Sequence, residues 1–449
     1  MSTEADVSES CEDAVREENA IALLSEKINS LYLFRDHYFE QHPIENAKHK
    51  NIDVENELKN TLNVFESKKE SACQVNRAMY YYLKGRALNI TPHFDIQAEE
   101  ILSKAVKLDP KLVEAWNELG ECYWKKDNIE EAKNCFAGAL VHRRNKESLR
   151  NLSMVLRQQP AKSSEERIKN VEEGLLHAKE AVQLDTNDGV SWSVLGNAYL
   201  SSFFTISQNP KTLKLCMSAY TQAEKDVVAR SKPDLHYNKA MALKYEEEYK
   251  LALDSFVQAQ SLDPTWDVPR LKENELLKYL DNVQELVRQK GKLKGKRLTQ
   301  MLQSLDPKQL GPYHGGNYTS PSGTSVKLDL IPLSDMKRGL NTEKVVLGKV
   351  VCSVHDEDAV PFTFCMIDKA ETCVAVTVYN LAQGKGVIIG DAVAIPEPYF
   401  TQVRIKYKSK DYCFDSIRVE SPLVMVVNGK KIGRNQQASV RLCTFKKSD

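Results

Sequence analysis

The amino-acid sequence predicts a mainly α-helical chain of stacked helix pairs followed by an all-β domain. Three observations lead there. A spaced pattern of Trp, Leu-Gly and Tyr, then Ala and Phe, recurs through the first part of the chain. Near residue 307 Gly and Pro crowd together and the helical periodicity stops, and beyond that point short β-branched runs alternate with turns. At 449 residues the chain is too long for one core and is expected to divide.

The repeat is densest from Trp116, which is followed by Leu119, Gly120 and Tyr123, then Ala132, Phe136 and Ala139. This spacing is the signature of the 34-residue tetratricopeptide helix pair. Its first half recurs at Trp192, Leu195, Gly196 and Tyr199. Its second half recurs at Ala252, Phe256, Ala259 and Pro264, and again at Ala98, Leu102, Ala105 and Pro110. About five repeats over 78–264 are predicted, with limits near 78–110, 112–147, 148–186, 189–231 and 234–264. Gly120 and Gly196 lack a Cβ and so let the paired helix approach. One pair cannot bury its apolar face alone, so repeats stack into a superhelix with a concave groove, the expected binding surface.

Helices are expected on both sides of the array. Ile21, Leu24, Ile28 and Leu31, with Phe34 and Tyr38, form one amphipathic stripe, and Val54, Leu58, Leu62 and Phe65 form another. These are predicted as capping helices within 19–77. The first eighteen residues carry acids at Glu4, Asp6, Glu9, Glu12, Asp13, Glu17 and Glu18 and lack the apolar core of a signal peptide, so 1–18 is expected to be an acidic, disordered tail. Leu276, Leu280, Val283 and Val287 mark closing helices over 270–306, which contain the basic stretch KGKLKGKR at 290–297. Residues 307–340 read as a linker by their Gly and Pro content.

Strands are expected at Val345–Val354, Phe362–Ile367, Cys373–Val378, Asp391–Ile395, Tyr412–Val419 and Leu423–Val427. Short strands with no intervening helices suggest a small barrel over 341–430, and Gly390-Asp391 feeding Val393-Ala394-Ile395 points to a five-stranded OB fold. Arg404, Lys406, Lys408 and Lys410 alternate beside Tyr407 and Tyr412, which reads either as a nucleic-acid face or as an ordinary half-exposed strand. Protein binding fits equally. Residues 431–449 are expected to fray as a tail.

Lys+Arg and Asp+Glu are 62 each, so no global field draws the chain to nucleic acid or to a membrane surface. No apolar run is long enough to span a bilayer, so a cytosolic or nuclear protein is expected. The ten cysteines are scattered and none forms a C-x-x-C pair, which predicts reduced structural thiols and no metal. No phosphate loop, nucleophile elbow or H-E-x-x-H helix is present, so no catalytic residue, no enzyme activity and no cofactor is predicted. Binding residues are easier to nominate. In a helix pair of this kind the first helix lines the groove, which makes Asn117, Asn151, Arg157, Asn197, Asp234 and Asn238 candidates to bond an extended peptide. Opposite charges at Arg157 and Asp234 would select a peptide with adjacent charges in reverse order. Five bases within eight residues at 290–297 favour contact with an RNA backbone over a merely solvated helix end.

The stretches TPHFDIQAEEILSKAVKLDPKLVEAWNELGECYWKK, NLSMVLRQ, LGNAYL, QNPK, SKPDLH, GDAVAIPEP and SPLVMVVNGK, spread over residues 20 to 430, resemble the tetratricopeptide repeat protein five family, the Strap-type stress-responsive activators of an acetyltransferase coactivator. That resemblance implies a repeat array followed by an OB-fold domain. It also implies an adaptor that recognises the Met-Arg-Glu start of nascent α- and β-tubulin at the ribosome and, with an mRNA-decay adaptor, triggers tubulin mRNA decay. A second implied role is a nuclear scaffold joining an acetyltransferase coactivator and JMY in the DNA-damage response. The peptide's Glu would pair with Arg157 and its Arg with Asp234, while Lys294 and Lys296 would contact the ribosome and its rRNA. A groove carboxylate of the family aligns with Val268, and Asp267 is the neighbouring candidate to replace it.

Overall fold

The structure, a computed structural model, describes residues 4–206, 208–315, 317–319, 323, 325–355, 361–382 and 384–437, without the side chains of 4–19 and 317. The chain divides into two compact units. A helical unit comprises Met1–Ala242 with Gln258–Asp267, and a barrel unit comprises Leu243–Val257 with Val268–Asp449. No helix among the described residues is long and apolar enough to cross a membrane.

The helical unit opens with α1 (Glu4–Asp36), the single turn α2 (Tyr38–Gln41) and α3 (Lys50–Ser67). Because α1 already starts at Glu4, the acidic segment expected as a disordered tail is helical from there. No Gly or Pro interrupts it, and acids in a first turn complement the helix dipole. Helix pairs follow as α4 (Lys69–Leu88) with α5 (Ile96–Leu108), α6 (Val113–Lys125) with α7 (Ile129–His142), and α8 (Lys146–Gln158) with α9 (Ser164–Leu184). Next come α10 (Gly189–Thr205) with α11 (Pro210–Ala223), the short α12 (Val227–Arg230), and α13 (Pro233–Tyr245) with α14 (Tyr249–Leu262).

The glycines of the repeat do what the sequence pattern requires. A Cβ on Gly85 would lie 2.5 Å from Leu102, one on Gly120 would lie 2.6 Å from the Phe136 ring, and one on Gly196 would run into the Tyr220 ring. In these three pairs the first helix gives up a side chain where the second helix inserts a large one. Ala98, Leu102, Ala105, Ala115, Leu119 and Cys122 belong to one continuous buried cluster across successive pairs.

The barrel unit contains α15 (Val268–Arg288) and α16 (Gly295–Gln303), then β1 (Asn317–Thr319), β2 (Ser325–Lys327), β3 (Asp329–Leu330), β4 (Gly339–Leu340), β5 (Lys344–Val354), β6 (Phe362–Ile367) and β7 (Cys373–Val378). The remaining strands are β8 (Ala392–Pro396), β9 (Tyr399–Tyr407), β10 (Lys410–Val419), β11 (Val426–Val427) and β12 (Lys430–Lys431). The central order is β8-β5-β6-β7-β10, antiparallel except for the parallel β7/β10 pair, which is the strand order of an OB fold. Val346, Val350, Phe364, Met366, Val374, Val376 and Ile417 fill its interior. The opposite face of the same strands is covered by α15 and by residues 243–257. Tyr279 of α15 bonds Thr363 at 3.1 Å, and Glu247 accepts from Thr377 and Tyr379 at 2.7 and 2.8 Å.

Two expectations need correction. The segment expected as a linker carries Leu310, Tyr313, Tyr318 and Leu328, all buried in a cluster with Val345, Leu347 and Val426. The Tyr313 hydroxyl donates to the Val424 carbonyl at 2.6 Å, so these anchors seat a Gly-rich chain on the barrel. The expected C-terminal tail also begins later than 431. Ile432 is buried in the barrel core and Gln437 bridges to Leu381, while 438–449 lie outside the described residues.

Candidate functional site

The site grows out of the third and fourth helix pairs. In α8, Arg157 is 9% exposed, and its Nε donates to the Ser153 carbonyl at 3.1 Å. Its Nη1 reaches across to the Ser201 hydroxyl of α10 at 3.4 Å. No carboxylate lies within ion-pair distance of this guanidinium among the described residues. Burial pulls its pKa down to about 10, with nearby Arg167 pushing the same way. It stays charged at neutral pH, so a desolvated cation is held here without a counter-ion. Room for it comes from Gly174 of α9, where a Cβ would stand 3.0 Å from both Arg157 Cγ and the Ser153 carbonyl.

Tyr220 of α11 gathers the other candidates. Its ring fills the space vacated by Gly196, and its hydroxyl donates to Asn197 Oδ1 at 2.8 Å. Burial first, then Cys216, raises the phenol well above its usual value; the Arg157 charge opposes that rise and the Asp234 charge adds to it. Asn197 of α10 is bonded to this tyrosine, and the charges of Arg157 on α8 and Asp234 on α13 both act on it electrostatically. Asp234 is exposed in the first turn of α13, where a helix N-terminus favours an acid. Asn238 lies one turn further along the same helix and is half-buried.

The other nominated residues divide. Asn117 is 3% exposed and its Oδ1 accepts from Ser148 at 2.6 Å, so it is a tie between α6 and α8. Its nomination as a peptide ligand is corrected: its acceptor is engaged and water does not reach it. Asn151 is half-buried on α8. Asp267 is exposed and already engages a neighbour.

Tyr220 and Gly174 were not nominated from sequence. The signal for Tyr220 is its spacing, since Cys216 and Tyr220 repeat the Ala132 and Phe136 positions of the preceding match. Gly174 had no such signal, because in this pair the small residue sits on the second helix.

In the barrel unit the basic stretch separates into two classes. Lys290 pairs with Glu371 at 2.5 Å and Lys292 with Glu285 at 3.0 Å. Lys294 is the N-cap of α16, and Lys296 and Arg297 lie in its first turn; all three are exposed with no ion pair among the described residues. The basic stripe on the barrel is largely neutralised, by Asp415 for Arg404, Glu273 for Lys408 and Asp281 for Lys410. Tyr407 and Tyr412 are buried, so neither ring offers a stacking platform for a base.

Stacked helix pairs leading into an OB barrel define a tetratricopeptide-repeat adaptor with a C-terminal OB-fold domain. Residues 327–441 match the model of the Tetratricopeptide repeat protein 5 OB fold domain, and residues 113–140 and 233–265 match the tetratricopeptide repeat itself. Tetratricopeptide repeat protein 5 of Homo sapiens is 51% identical over 416 residues, covering 92% of this chain and 94% of its own. The Mus musculus protein of that name is 51% identical over 93% of this chain and 94% of its own, and the Bos taurus protein is 49% identical over 96% and 98%. The chain belongs to the tetratricopeptide repeat protein 5 family.

Proposed function

We propose that this adaptor reads the Met-Arg-Glu start of nascent α- and β-tubulin on translating ribosomes in the cytoplasm and triggers decay of tubulin mRNA. The observation that carries the reading is the buried guanidinium of Arg157 without a carboxylate beside it. Leaving such a charge unpaired costs stability, and a ligand carboxylate would recover that cost on binding. Asp234, whose charge like that of Arg157 acts on Tyr220, supplies the opposite charge for the peptide's Arg. Asn197, whose oxygen is occupied by Tyr220, keeps its amide hydrogens for a peptide carbonyl.

Ribosome contact is assigned to Lys294 and Lys296, with Arg297 beside them. Lysines are ordinary at a helix C-terminus, which accounts for Lys290 and Lys292 after α15. At the N-terminus of α16 the dipole disfavours cations, so local helix electrostatics do not explain Lys294, Lys296 or Arg297. Contact with RNA phosphates does.

Co-sedimentation with ribosomes stalled on tubulin nascent chains tests the reading. Binding should require both the tubulin start and the basic segment. Lys294→Glu with Lys296→Glu should abolish sedimentation at physiological salt while leaving binding to free tubulin peptide unchanged. Equal sedimentation with unrelated nascent chains would contradict the proposal.

A further inference from the structure

Three thiols meet on the barrel face that α15 covers. Cys352 of β5 stands directly opposite Cys365 of β6. Cys365 pairs with Ala375 of β7, so Cys373, two residues earlier, is its diagonal neighbour on the same face. Strand register therefore puts the Cys365 thiol between Cys352, directly opposite, and Cys373, diagonal to it. All three are reduced.

The meeting depends on an irregularity. Val350 pairs with Met366 inside the barrel, and the next matched pair is Cys352 with Cys365, so β5 carries one extra residue at Val351. In a regular ladder Val351 would oppose Cys365, and Cys352 would face the Phe364 side. The bulge re-aims Cys352 onto the thiol face. Accessibility is highest at Cys373, which is half-buried, while Cys352 is 7% exposed and the middle thiol, Cys365, is 0% exposed. Among the described residues no three side chains are arranged to hold a metal ion, these thiols included.

We propose that Cys373, Cys365 and Cys352 form a hydroperoxide-responsive thiol relay, in which oxidation enters at Cys373 and ends as a Cys352–Cys365 disulfide. Hydroperoxide oxidises Cys373 to a sulfenic acid; its O–O bond breaks as the S–O bond forms, and the second oxygen leaves as water. The Cys365 sulfur then attacks the Cys373 sulfur, and the displaced hydroxide leaves as water with the Cys365 proton. Finally Cys352 attacks the Cys365 sulfur, the S–S bond passes to the β5/β6 pair, and Cys373 leaves as a thiolate that takes the Cys352 proton. Two thiols and one hydrogen peroxide yield one disulfide and two waters.

The end point follows from strand geometry. Residues directly opposite across antiparallel strands have Cα atoms about 4.5–5.5 Å apart, within the disulfide range, whereas diagonal neighbours are about 7–8 Å apart. The diagonal bond is the strained intermediate and the opposite pair is the sink. Cys365 holds the Cys352 thiol below its usual value, while Cys352 and Cys373 push Cys365 above its own, so the final attack by Cys352 is the easier of the two sulfur–sulfur steps. The row lies beneath α15, and Cys373 is two residues from Glu371, which anchors Lys290 at the start of the basic stretch.

Peroxide titration of the full chain carrying Cys413→Ser, which removes the exposed thiol among the described residues, tests the relay. After thiol blocking and non-reducing digestion, mass spectrometry should find peptides of Cys352 and Cys365 linked and Cys373 again free. Adding Cys373→Ser should slow linkage severalfold, and Cys365→Ala should abolish it and leave Cys373 over-oxidised. A melting curve matching that of the Cys413→Ser parent shows that each variant is folded. Peroxide-treated protein with no Cys352–Cys365 link, or linkage at an unchanged rate in Cys373→Ser, would overturn the proposal.

Discussion

Both units bury charged groups, and they treat them in opposite ways. In the barrel unit Glu247 accepts from Thr377 and Tyr379 with Arg418 at 3.4 Å, and Glu273 accepts from Tyr407 and Lys408 at 2.8 and 2.7 Å. In the helical unit Arg157 is as deeply buried and has only a backbone carbonyl and a serine hydroxyl beside it. Burial alone does not strand a charge there: Glu118 sits with Arg86 at 3.2 Å and Asn89 at 2.9 Å, and burial, with Glu121 nearby, pushes its carboxyl up to about 8, so it is mostly neutral at pH 7. A buried ion with a counter-ion beside it fixes structure, even where, as at Glu247 Oε2, one oxygen has no donor. An unpaired one stores a cost that a ligand can relieve, which makes it a marker of a binding site.

The contrast breaks most visibly at Glu247. Glu247→Ala would leave buried Arg418 with only the exposed Glu420 carboxylate at 3.7 Å and should destabilise the barrel unit by about 3 kcal/mol. All four tryptophans, Trp116, Trp124, Trp192 and Trp266, lie in the helical unit. Tryptophan fluorescence therefore follows the repeats while β-sheet circular dichroism follows the barrel. The expected result is an earlier dichroism transition with a much smaller change in fluorescence. Coincident shifts of both would show that the two units unfold as one.

Gly120→Leu probes the other side of the contrast. The new side chain collides with Phe136, at an overpacking cost of about 2 to 3 kcal/mol. Here the fluorescence transition should move and spread through neighbouring pairs, leaving the barrel signal in place. Unchanged fluorescence would place the large-into-small contact elsewhere.

The same contrast explains what could be read in advance. The repeats are legible because Trp116, Leu119, Gly120 and Tyr123 are packing requirements, so the spacing is the structure. Strands such as Phe362–Ile367 and Cys373–Val378 are legible because β-branched and aromatic residues bounded by turns have few alternatives. Arg157 can be nominated as a groove charge, but its isolation cannot, because that depends on Gly174, Ser201 and Tyr220 arriving from three other helices. Asn117 looked like a ligand because nothing in sequence distinguishes an amide facing a groove from one tied to Ser148. The region 307–340 misled by composition: Gly and Pro dominate it, and four spaced apolar anchors outweigh them. The acidic N-terminal residues misled in the reverse sense, since charge suggested disorder where an unbroken run of helix-compatible residues continues α1.

A smaller effect sharpens the claim about stored cost. Replacing Arg157 by Met keeps the stem and removes the unpaired charge. It should raise helical-unit stability by about 1 to 2 kcal/mol while abolishing recognition of the peptide's Glu. Denaturant titration followed by tryptophan fluorescence would show it. Loss of stability on this substitution would mean that the guanidinium is satisfied in the empty protein.

The most direct measurement is a calorimetric titration in which one charge is exchanged. Peptides beginning Met-Arg-Glu are titrated into the parent chain, Arg157→Ala, Asp234→Ala and Asp234→Lys. Arg157→Ala should lose about tenfold or more in affinity, since that guanidinium is desolvated, and Asp234→Ala, at an exposed carboxylate, about threefold to fivefold. Asp234→Lys should bind the native peptide weakly and recover part of the affinity for a peptide whose Arg is replaced by Glu, a recovery that misfolding cannot produce. Parent-like binding of the tubulin peptide by both alanine variants would contradict the assignment of Arg157 and Asp234 to the site.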